Sequence, residues 1–284
     1  MPHGKRAVPL THPDKVFWPE EGYTKGDLIA YYEQIAPYIL PHLAGRPCSL
    51  HRFPDGIRGV HFFQKNVRRE TLPRFVETLL LRAKTTGKPV RYAMCNNEES
   101  LLYLANFGCI EFHPWNSRKG SLVKPDFIVF DLDPGPRSSF GDAVEVARVL
   151  HRILDAKGVA NYVKTSGKRG LHVYAPTNRK ISYAAARAFA RAAAEEVVRR
   201  APRIASVEHW PKDRKGKVFI DIARNAEGQT TAAPYSVRPV PGATVSTPLA
   251  WSEVTARLSP KRFTMQNMLA RLKKKGDLWR AIMR

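Results

Sequence analysis

The pattern of apolar and polar residues predicts short strands interspersed with helices along the 284 residues. Four segments between residues 48 and 108 are short and rich in aromatic and β-branched residues, which predicts strands or turns: CSLHRFP, VHFFQKN, VRYAMC and SLLYLANFG. Strands and helices follow one another without a strict strand–helix–strand alternation. This order favours an α+β fold built on mixed or antiparallel β-sheets and flanked by α-helices.

Helical spacing of apolar residues predicts longer helices on either side of these strands. Thr24 and Asp27 form a capping box that opens the helix DLIAYYEQIAPYIL, which Pro37 should end or kink. DAVEVARVLHRILDAKG repeats apolar residues every three or four positions, and SYAAARAFARAAAEEVVRR is rich in alanine with charges on one face. Both segments are therefore predicted to be helices that cover a sheet.

Two further strands end in carboxylates, and a third region predicts a hairpin. The apolar run FIVF leads directly into Asp131-Leu132-Asp133 and then into Pro-Gly-Pro. KVFIDIARN predicts a second strand that ends near Asp221. NYVKTSGKRGLHVYAP has the order strand, glycine turn, strand, which is typical of a hairpin.

Composition and charge narrow the class of protein. Hydrophobic residues make up 43% and charged residues 25% of the chain, which is typical of a globular protein. No apolar run has transmembrane length, and the start MPHGKRAVPLTHPDK lacks the apolar segment of a signal peptide, so we expect a cytoplasmic protein and no membrane partner. The net charge of +22 favours nucleic acid as the partner. A generally basic surface without a nucleic-acid partner is the alternative.

The cysteines indicate no disulfide framework and no structural zinc site. Cys48, Cys95 and Cys109 are far apart, and no C-x-x-C pair accompanies them. We expect each of them to be a small core residue.

The carboxylates predict a metal site. Side chains two residues apart in a strand point to the same face, so Asp131 and Asp133 lie side by side and repel one another unless a cation is present. Asp221 supplies a third carboxylate at the end of another strand. Three oxygen-rich side chains in a basic protein fit a pair of hard divalent cations, Mg²⁺ or Mn²⁺, for phosphoryl transfer. Solvated acids at a strand end are the alternative, and a glycosyltransferase D-x-D motif leaves the positive charge unexplained.

A haloacid-dehalogenase phosphatase also begins with an apolar strand that leads into D-x-D. Its chemistry needs Thr or Val two residues after the second Asp, where this chain has Gly135 after Pro134. The motif also lies far from the N-terminus, so this class does not fit.

A glycine turn at residues 164–173, KTSGKRGLHV, predicts an anion-binding loop. Gly167 and Gly170 permit a tight turn whose backbone N–H groups can face an anion, and Ser166, Lys168 and Arg169 add a hydroxyl and charge. The spacing is not that of a Walker A loop. An ordinary hairpin turn with solvated cations is the alternative.

The motifs FDLDPG, TSGKRGLHV, FIDIARN and TTAAPYSVR occur in this order, and together they resemble the polymerase domain of bacterial DNA ligase D, in the archaeo-eukaryotic primase superfamily. The resemblance covers residues 11–254, nearly the whole chain. It implies a primase-polymerase fold with an RRM-like catalytic sheet. It also implies a template-directed nucleotidyltransferase that adds nucleotides at gaps or broken DNA ends, in non-homologous end joining or gap repair.

The resemblance also implies roles for residues of the catalytic region. Asp131, Asp133 and Asp221 match the catalytic metal ligands, with Mn²⁺ or Mg²⁺ as the cofactor in a two-metal site. The residues that match the nucleoside triphosphate site are His113 for the sugar, and Ser166, Gly167, Lys168, Arg169, Gly170, His172 and Arg238 for the phosphates. Arg169 stands where family members often have lysine.

Contacts with DNA are implied for the N-terminal part. Lys15 and Lys25 match lysines that hold the 5′-phosphate on the downstream side of a gap. Phe62 and Phe63 match aromatic residues that stack on template bases. Because alternation along a strand should bury one of the two rings, we expect only one of them to stack.

The expected organisation is one primase-polymerase domain over residues 1–284, with DNA contacts at about 1–110 and the catalytic and nucleotide site at 111–260. The expected partners are gapped, primer–template or broken-end DNA with a 5′-phosphate, nucleoside triphosphates, a Ku-type end-binding protein and a separate ligase. A bacterial or archaeal, nucleoid-associated location follows from these partners. The sequence leaves open whether the chain is a stand-alone protein or one domain of a ligase.

Two alternatives to polymerase activity remain at the level of sequence. One is a non-catalytic DNA-end-binding module that recognises the 5′-phosphate and keeps its carboxylates as relics. The other is a metal-dependent phosphoesterase, which would release mononucleotides or phosphate from DNA ends without added triphosphate.

Overall fold

Two large β-sheets carry the polar residues singled out above. The structure, a computed structural model, describes residues 8–83 and 86–283. The expectation that the chain starts without a signal peptide concerns in part residues 1–7, which lie outside the described residues. Upstream of the first large sheet, β1 (Val16–Trp18) and β2 (Tyr23–Thr24) pair as a short antiparallel ribbon.

The first large sheet is antiparallel and comes from the N-terminal part of the chain. Its strands run in the order β4-β3-β6-β5, and β7 pairs with β3. The strands are β3 (Pro47–Arg52), β4 (Phe62–Gln64), β5 (Thr78–Arg82), β6 (Pro89–Met94) and β7 (Cys109–Pro114). His113 lies near the end of β7, directly opposite Ser49 of β3.

The second large sheet is mixed and has the carboxylate-bearing strand near its centre. The strand order is β11-β12-β8-β10-β9-β13, in which β11 and β12 are parallel and the other neighbours antiparallel. Its strands are β8 (Phe127–Asp133), β9 (Tyr162–Thr165), β10 (Leu171–Pro176), β11 (Ala205–Ser206), β12 (Val218–Asp221) and β13 (Pro248–Leu249). The predicted hairpin is β9–β10.

Helices pack against both sheets, which confirms the predicted α+β fold. The α-helices of the described residues are α1 (Lys25–Leu43), α2 (Glu98–Asn106), α3 (Phe140–Ala156), α4 (Tyr183–Arg200) and α5 (Met268–Lys275). α1 and α2 pack together against β7, while α3 and α4 pack together against β8. The three cysteines are buried core residues with free thiols, as expected.

One prediction of secondary structure was wrong, and of the two outcomes predicted for Pro37, an end or a kink, the end does not occur. SLLYLANFG was expected to be a strand or turn, but it forms most of α2, which Asn97 caps together with Ser100 and which buries Leu101 and Leu104. Pro37 does not end α1: the helix begins at the predicted Thr24–Asp27 capping box and runs on to Leu43. Burial of the apolar face of α1 outweighs the loss of backbone hydrogen bonds at proline, about 3 kcal/mol in a helix interior.

No helix in the part of the chain that the structure describes is long and apolar enough to span a membrane.

Candidate active site

The three aspartates lie at neighbouring positions on two paired strands. Antiparallel pairing of β12 with β8 puts Asp221 directly opposite Asp131, and Phe219 opposite Asp133. Asp131 and Asp221 are buried, whereas Asp133 is exposed at the end of its strand. The register of one strand pair therefore brings together residues that are 90 positions apart in sequence.

Arg224 lies between two of these carboxylates. Its Nε is 3.5 Å from Asp131 Oδ2 and 3.3 Å from Asp221 Oδ2. The same buried Nε has no hydrogen-bond partner of suitable geometry, so its contacts are charge–charge contacts only. Sequence reasoning missed Arg224, and its only signal was a cation three residues after Asp221.

The carboxylates influence one another's ionisation. Partial burial, and then the charges of Asp131 and Asp221, raise the pKa of Asp133 to about 6. Asp131 contacts His172 Nε2 at 3.2 Å on the adjacent strand. Burial and the nearby Lys164 lower the pKa of His172 to about 4. Asp131 therefore carries the negative charge of this pair, and His172 is neutral at pH 7.

The donor set fits hard divalent cations. Three carboxylates lie at neighbouring positions on β8 and β12, and burial together with its two charged neighbours raises the pKa of one of them, Asp133. Oxygen ligands of this kind are those that Mg²⁺ and Mn²⁺ prefer. A cation at this position would relieve the repulsion that raises the pKa of Asp133.

The β9–β10 turn lies against the end of β8, beside the aspartates. A Cβ atom on Gly170 would lie 2.2 Å from Leu132 O, so only glycine allows this close approach. Ser166 Oγ accepts hydrogen bonds from the backbone N–H groups of Lys168 (3.2 Å) and Gly170 (3.0 Å). These two amides are thus used within the turn and do not belong to the backbone N–H groups that could face an anion. Arg169 is exposed, and its charge opposes the rise in the pKa of Asp133.

Arg238 reaches the same turn from the C-terminal part of the chain. Its Nη1 donates to Ser166 O at 2.7 Å, and a Cβ atom on Gly167 would lie 2.5 Å from Arg238 Cγ. Gly167 has a φ of +77°, which favours glycine. The turn is therefore fixed on one side by β8 and on the other by Arg238.

Glu111 connects this region to His113. Glu111 Oε2 is 3.0 Å from His113 Nε2, while Glu111 Oε1 is 3.3 Å from Lys168 Nζ and 2.6 Å from Arg238 Nε. Burial opposes a charge on Glu111, but Arg238 and hydrogen bonds from His113 and His51 lower its pKa well below the usual value. The predicted nucleotide residues His113, Lys168 and Arg238 therefore share one carboxylate that sequence reasoning did not identify.

Glu111 also belongs to a second group of side chains of the kinds that can bind a metal ion. Among the described residues, His51, Glu111 and His113 bring their donor atoms within 4.8 Å of one another, which the three aspartates do not. The Lys168 and Arg238 charges already contact Glu111. A cation here would be repelled by both, so these side chains are better suited to hydrogen bonding than to metal binding.

Lys15 and Lys25 meet at the start of α1. Lys25 N donates to Lys15 O at 2.8 Å, and burial followed by the charge of Lys15 lowers the pKa of Lys25. Lys25 Nζ contacts Thr11, and Lys15 forms an ion pair with Asp55. Both lysine side chains therefore lie at the N-terminus of a 19-residue helix, with partners from within the chain.

Both Phe62 and Phe63 are exposed, so the expectation that one would be buried was wrong. Phe62 is 42% exposed and Phe63 is 53% exposed. β4 pairs only with β3 and lies at an edge of its sheet, so neither of its faces is fully covered. Phe63 stacks on His51 with ring centroids 4.0 Å apart, and Arg52 lies 5.3 Å from the Phe62 ring centroid.

The adjacent aspartates of the mixed sheet, its cation-bearing turn and the exposed aromatic edge of the first sheet agree with the class that the sequence resemblance implied, the nucleotidyltransferases of the primase-polymerase type. The model of the family "LigD, primase-polymerase domain" matches residues 24–279. The chain therefore belongs to this family, whose polymerase domains are metal-dependent nucleotidyltransferases.

Similar proteins agree with this assignment. The chain is 34% identical over 279 residues to the bifunctional non-homologous end joining protein LigD of Bacillus subtilis, covering 96% of this chain and 44% of that protein. It is 33% identical over 266 residues to the multifunctional LigD of Pseudomonas aeruginosa, covering 94% and 31%. The chain thus spans less than half the length of these curated relatives.

A solved structure has the same fold. The polymerase domain of Mycobacterium tuberculosis ligase D, solved in complex with DNA, superimposes with a TM-score of 0.90 at 28% identity. The match covers 98% of this chain and 99% of that one.

Proposed function

We propose that this chain catalyses template-directed addition of nucleotides to the 3′-hydroxyl of DNA at gaps or broken ends, in end joining or gap repair. The observation that carries the proposal is the pairing of Asp221 with Asp131 beside the turn at residues 166–170. The similar polymerase domain of Mycobacterium tuberculosis ligase D was solved in complex with DNA, which supports the choice of substrate.

Asp131, Asp133 and Asp221 would hold divalent cations, Mn²⁺ or Mg²⁺, in a two-metal site. When bound, such cations supply Lewis-acid activation of an attacking oxygen and neutralise phosphate charge. The raised pKa of Asp133 supports this assignment, because burial and the charges of Asp131 and Asp221 leave this carboxylate without a compensating cation.

The side chains around the turn would bind the triphosphate. Lys168, Arg169 and Arg238 supply positive charge, with Arg238 anchored on Ser166 O. His172 lies on the strand next to Asp131, at the point where the phosphates and the carboxylates would meet. As the oxygen of the 3′-hydroxyl bonds to the α-phosphorus, the bond from this phosphorus to the bridging β-phosphate oxygen would break and the hydroxyl proton would pass to solvent. Lys168, Arg169 and Arg238 would neutralise the charge that develops on the departing pyrophosphate.

The remaining predicted residues would orient the sugar and the DNA. His113, held by Glu111, would contact the sugar of the incoming nucleotide. Lys15 and Lys25 would bind a 5′-phosphate at the start of α1, and the exposed rings of Phe62 and Phe63 would stack on template bases. DNA contacts would thus come mainly from residues 1–110 and catalysis from 111–260. A Ku-type protein and a ligase activity would complete the repair reaction, in a nucleoid-associated location.

Incorporation on a one-nucleotide gap tests this function. We expect wild-type protein with Mn²⁺ or Mg²⁺ to extend the gapped substrate, and to do so more efficiently when the downstream strand carries a 5′-phosphate. Lys15→Ala should remove most of this preference while extension of the unphosphorylated gap stays within about twofold, because a single phosphate contact is lost. Phosphate-dependent binding without incorporation under either metal would instead indicate a DNA-end-binding module. Release of mononucleotides or phosphate without added triphosphate would indicate a phosphoesterase.

A further inference from the structure

Glu111 is a fully enclosed carboxylate that contacts four side chains from four separate parts of the chain. Its side chain is 1% exposed and lies on β7 of the first large sheet. Glu111 Oε2 accepts hydrogen bonds from His51 Nδ1 at 2.7 Å and His113 Nε2 at 3.0 Å, while Oε1 faces Lys168 and Arg238. A buried charge this costly persists only where its partners compensate it.

The two oxygens of Glu111 connect different sheets. His51 and His113 belong to β3 and β7 of the first sheet. Lys168 lies in the β9–β10 turn of the second sheet, which Arg238 anchors through Ser166 O. Glu111 is therefore an electrostatic connection between the part of the site proposed to bind the sugar and the part proposed to bind the phosphates.

The same connection reaches the proposed template surface. His51 donates to Glu111 on one side and stacks on Phe63 with an interplanar angle of 13° on the other. The Phe63 ring also meets His113 edge-on, with centroids 5.2 Å apart. A base stacked on Phe63 would thus rest on side chains that Glu111 holds in place.

Arg238 is oriented by Glu111 but keeps unused hydrogen-bonding capacity. The Arg238 Nε–Glu111 Oε1 distance is 2.6 Å, yet neither atom has a hydrogen-bond partner of suitable geometry. The contact is therefore an ion pair that fixes the position of the guanidinium. A buried donor without a partner costs free energy, and a phosphate oxygen that accepts from it would remove that cost.

We propose that Glu111 is a positioning residue that holds His113, Lys168 and Arg238 in the arrangement that binds a nucleoside triphosphate. This inference rests on the proposed polymerase function for its substrate. Glu111 itself need not touch the nucleotide, because its carboxylate is already surrounded by the residues that would.

A positioning role and net charge predict opposite changes in triphosphate affinity when Glu111 is neutralised. Replacing Glu111 by glutamine removes a negative charge from the site, and charge alone would then make an anionic triphosphate bind more tightly. A positioning role predicts weaker binding. Without the carboxylate, Lys168 and Arg238 repel each other, and the amide N–H₂ group faces either these cations or the histidine donors.

The test compares wild type with Glu111→Gln and Glu111→Asp. The dissociation constant of a nucleoside triphosphate is measured by calorimetry with Mn²⁺, and KM and kcat are measured on a gapped primer–template. We expect Glu111→Gln to raise both the dissociation constant of the triphosphate and KM about tenfold or more, with a smaller change in kcat. Glu111→Asp keeps the charge but shortens the side chain, and should raise the same constants at least about threefold.

Glu253→Gln is the matched control. Glu253 is a partly buried carboxylate that, like Glu111, lies between two cations, with Arg271 at 2.7 Å and Lys275 at 2.8 Å. Neither of these cations belongs to the proposed site. The Glu253→Gln variant should keep the dissociation constant of the triphosphate and KM within twofold of wild type, even if its thermal stability changes. If Glu111→Gln does not fold, Glu111→Asp decides the question.

Triphosphate affinity that is unchanged or tighter in a folded Glu111 variant would overturn the positioning role. A wild-type protein that binds triphosphate but incorporates none would overturn the proposed polymerase function instead. In that case the effect of Glu111 on triphosphate binding could still be measured, so the two failures are distinguishable.

Discussion

At the scale of single residues, the three aspartates differ in how many positively charged side chains contact them. Arg224 contacts Asp131 and Asp221, and the neutral His172 contacts Asp131, while Asp133 lies at the exposed strand end with two negative neighbours. Partial burial of the carboxyl, and then this unequal distribution, raise the pKa of Asp133 to about 6. A residue that resists ionisation in the protein alone is one that a divalent cation would favour in its ionised form.

Asp133→Asn is therefore predicted to stabilise the metal-free protein at neutral pH. The folded pKa of Asp133 lies above its unfolded value of about 3.8, so its contribution to stability is present below pH 4 and is lost as the pH rises through about 6. Because water screens this exposed group, we expect a gain in Tm of only about 1–3 °C at pH 7.5.

Thermal melts in a chelator at pH 7.5 and pH 4.5 check this prediction. The difference between Asp133→Asn and wild type should shrink at pH 4.5, where Asp133 is protonated. With Mn²⁺ added at pH 7.5 the sign should reverse, since the cation then stabilises only the wild type. A variant less stable than wild type in chelator at pH 7.5 would contradict the repulsion.

At the scale of elements, the site depends on how closely the β9–β10 turn approaches β8. Leu132 O leaves no room for a Cβ atom at Gly170. Such a Cβ atom would also lie 3.4 Å from Oδ1 of Asp133, the residue after Leu132. A displacement of the turn would therefore move the proposed phosphate ligands away from the aspartates.

Gly170→Ala is predicted to weaken triphosphate binding about tenfold. Relief of a 2.2 Å contact with a backbone oxygen requires the turn to shift, at a cost of about 1–3 kcal/mol. Affinity for DNA should change little. Gly158→Ala is the control, because its φ of +67° also strains an alanine but nothing lies within 4 Å of the added Cβ. Equal triphosphate affinities in the two variants would contradict a specific role for this approach.

The sequence predicted elements where local pattern and packing agree. The strand that ends in Asp131 and Asp133, the hairpin and the α1 capping box have strong local signals, and the structure has all three. α2 was missed because its capping partner is Ser100 instead of Glu or Gln, and its nine residues are mostly apolar. A short apolar run does not distinguish a buried helix from a strand.

The arrangement of the site was less predictable than its residue types. Motif spacing selected the aspartates and the cations of the turn. The roles of His51 and Glu111 depend on contacts between segments more than 50 residues apart, such as the Lys168–Glu111 ion pair. No local pattern marks such a pair. The same holds for the exposure of Phe62 and Phe63, which depends on β4 being at a sheet edge.

At the scale of the whole molecule, the net charge of +22 should dominate affinity for DNA. Phosphate contacts release counterions, so binding weakens steeply as salt increases. For roughly four phosphate contacts, we expect the dissociation constant for gapped DNA to rise about 10²-fold between 50 and 200 mM salt. Fluorescence anisotropy over this range checks the slope, and an affinity that is insensitive to salt would contradict a charge-driven interface.

The most direct test of the central claim is single-nucleotide incorporation by Asp131→Ala on a gapped primer–template. Asp131 lies opposite Asp221 and contacts His172, so its removal disrupts the carboxylate cluster. Glu195→Ala removes an equal charge from the exposed surface of α4 and serves as the control. We predict that Asp131→Ala loses about 10³-fold or more in incorporation while DNA affinity stays within several-fold. Extension by Asp131→Ala at the rate of the control would contradict the assignment of these carboxylates to catalysis.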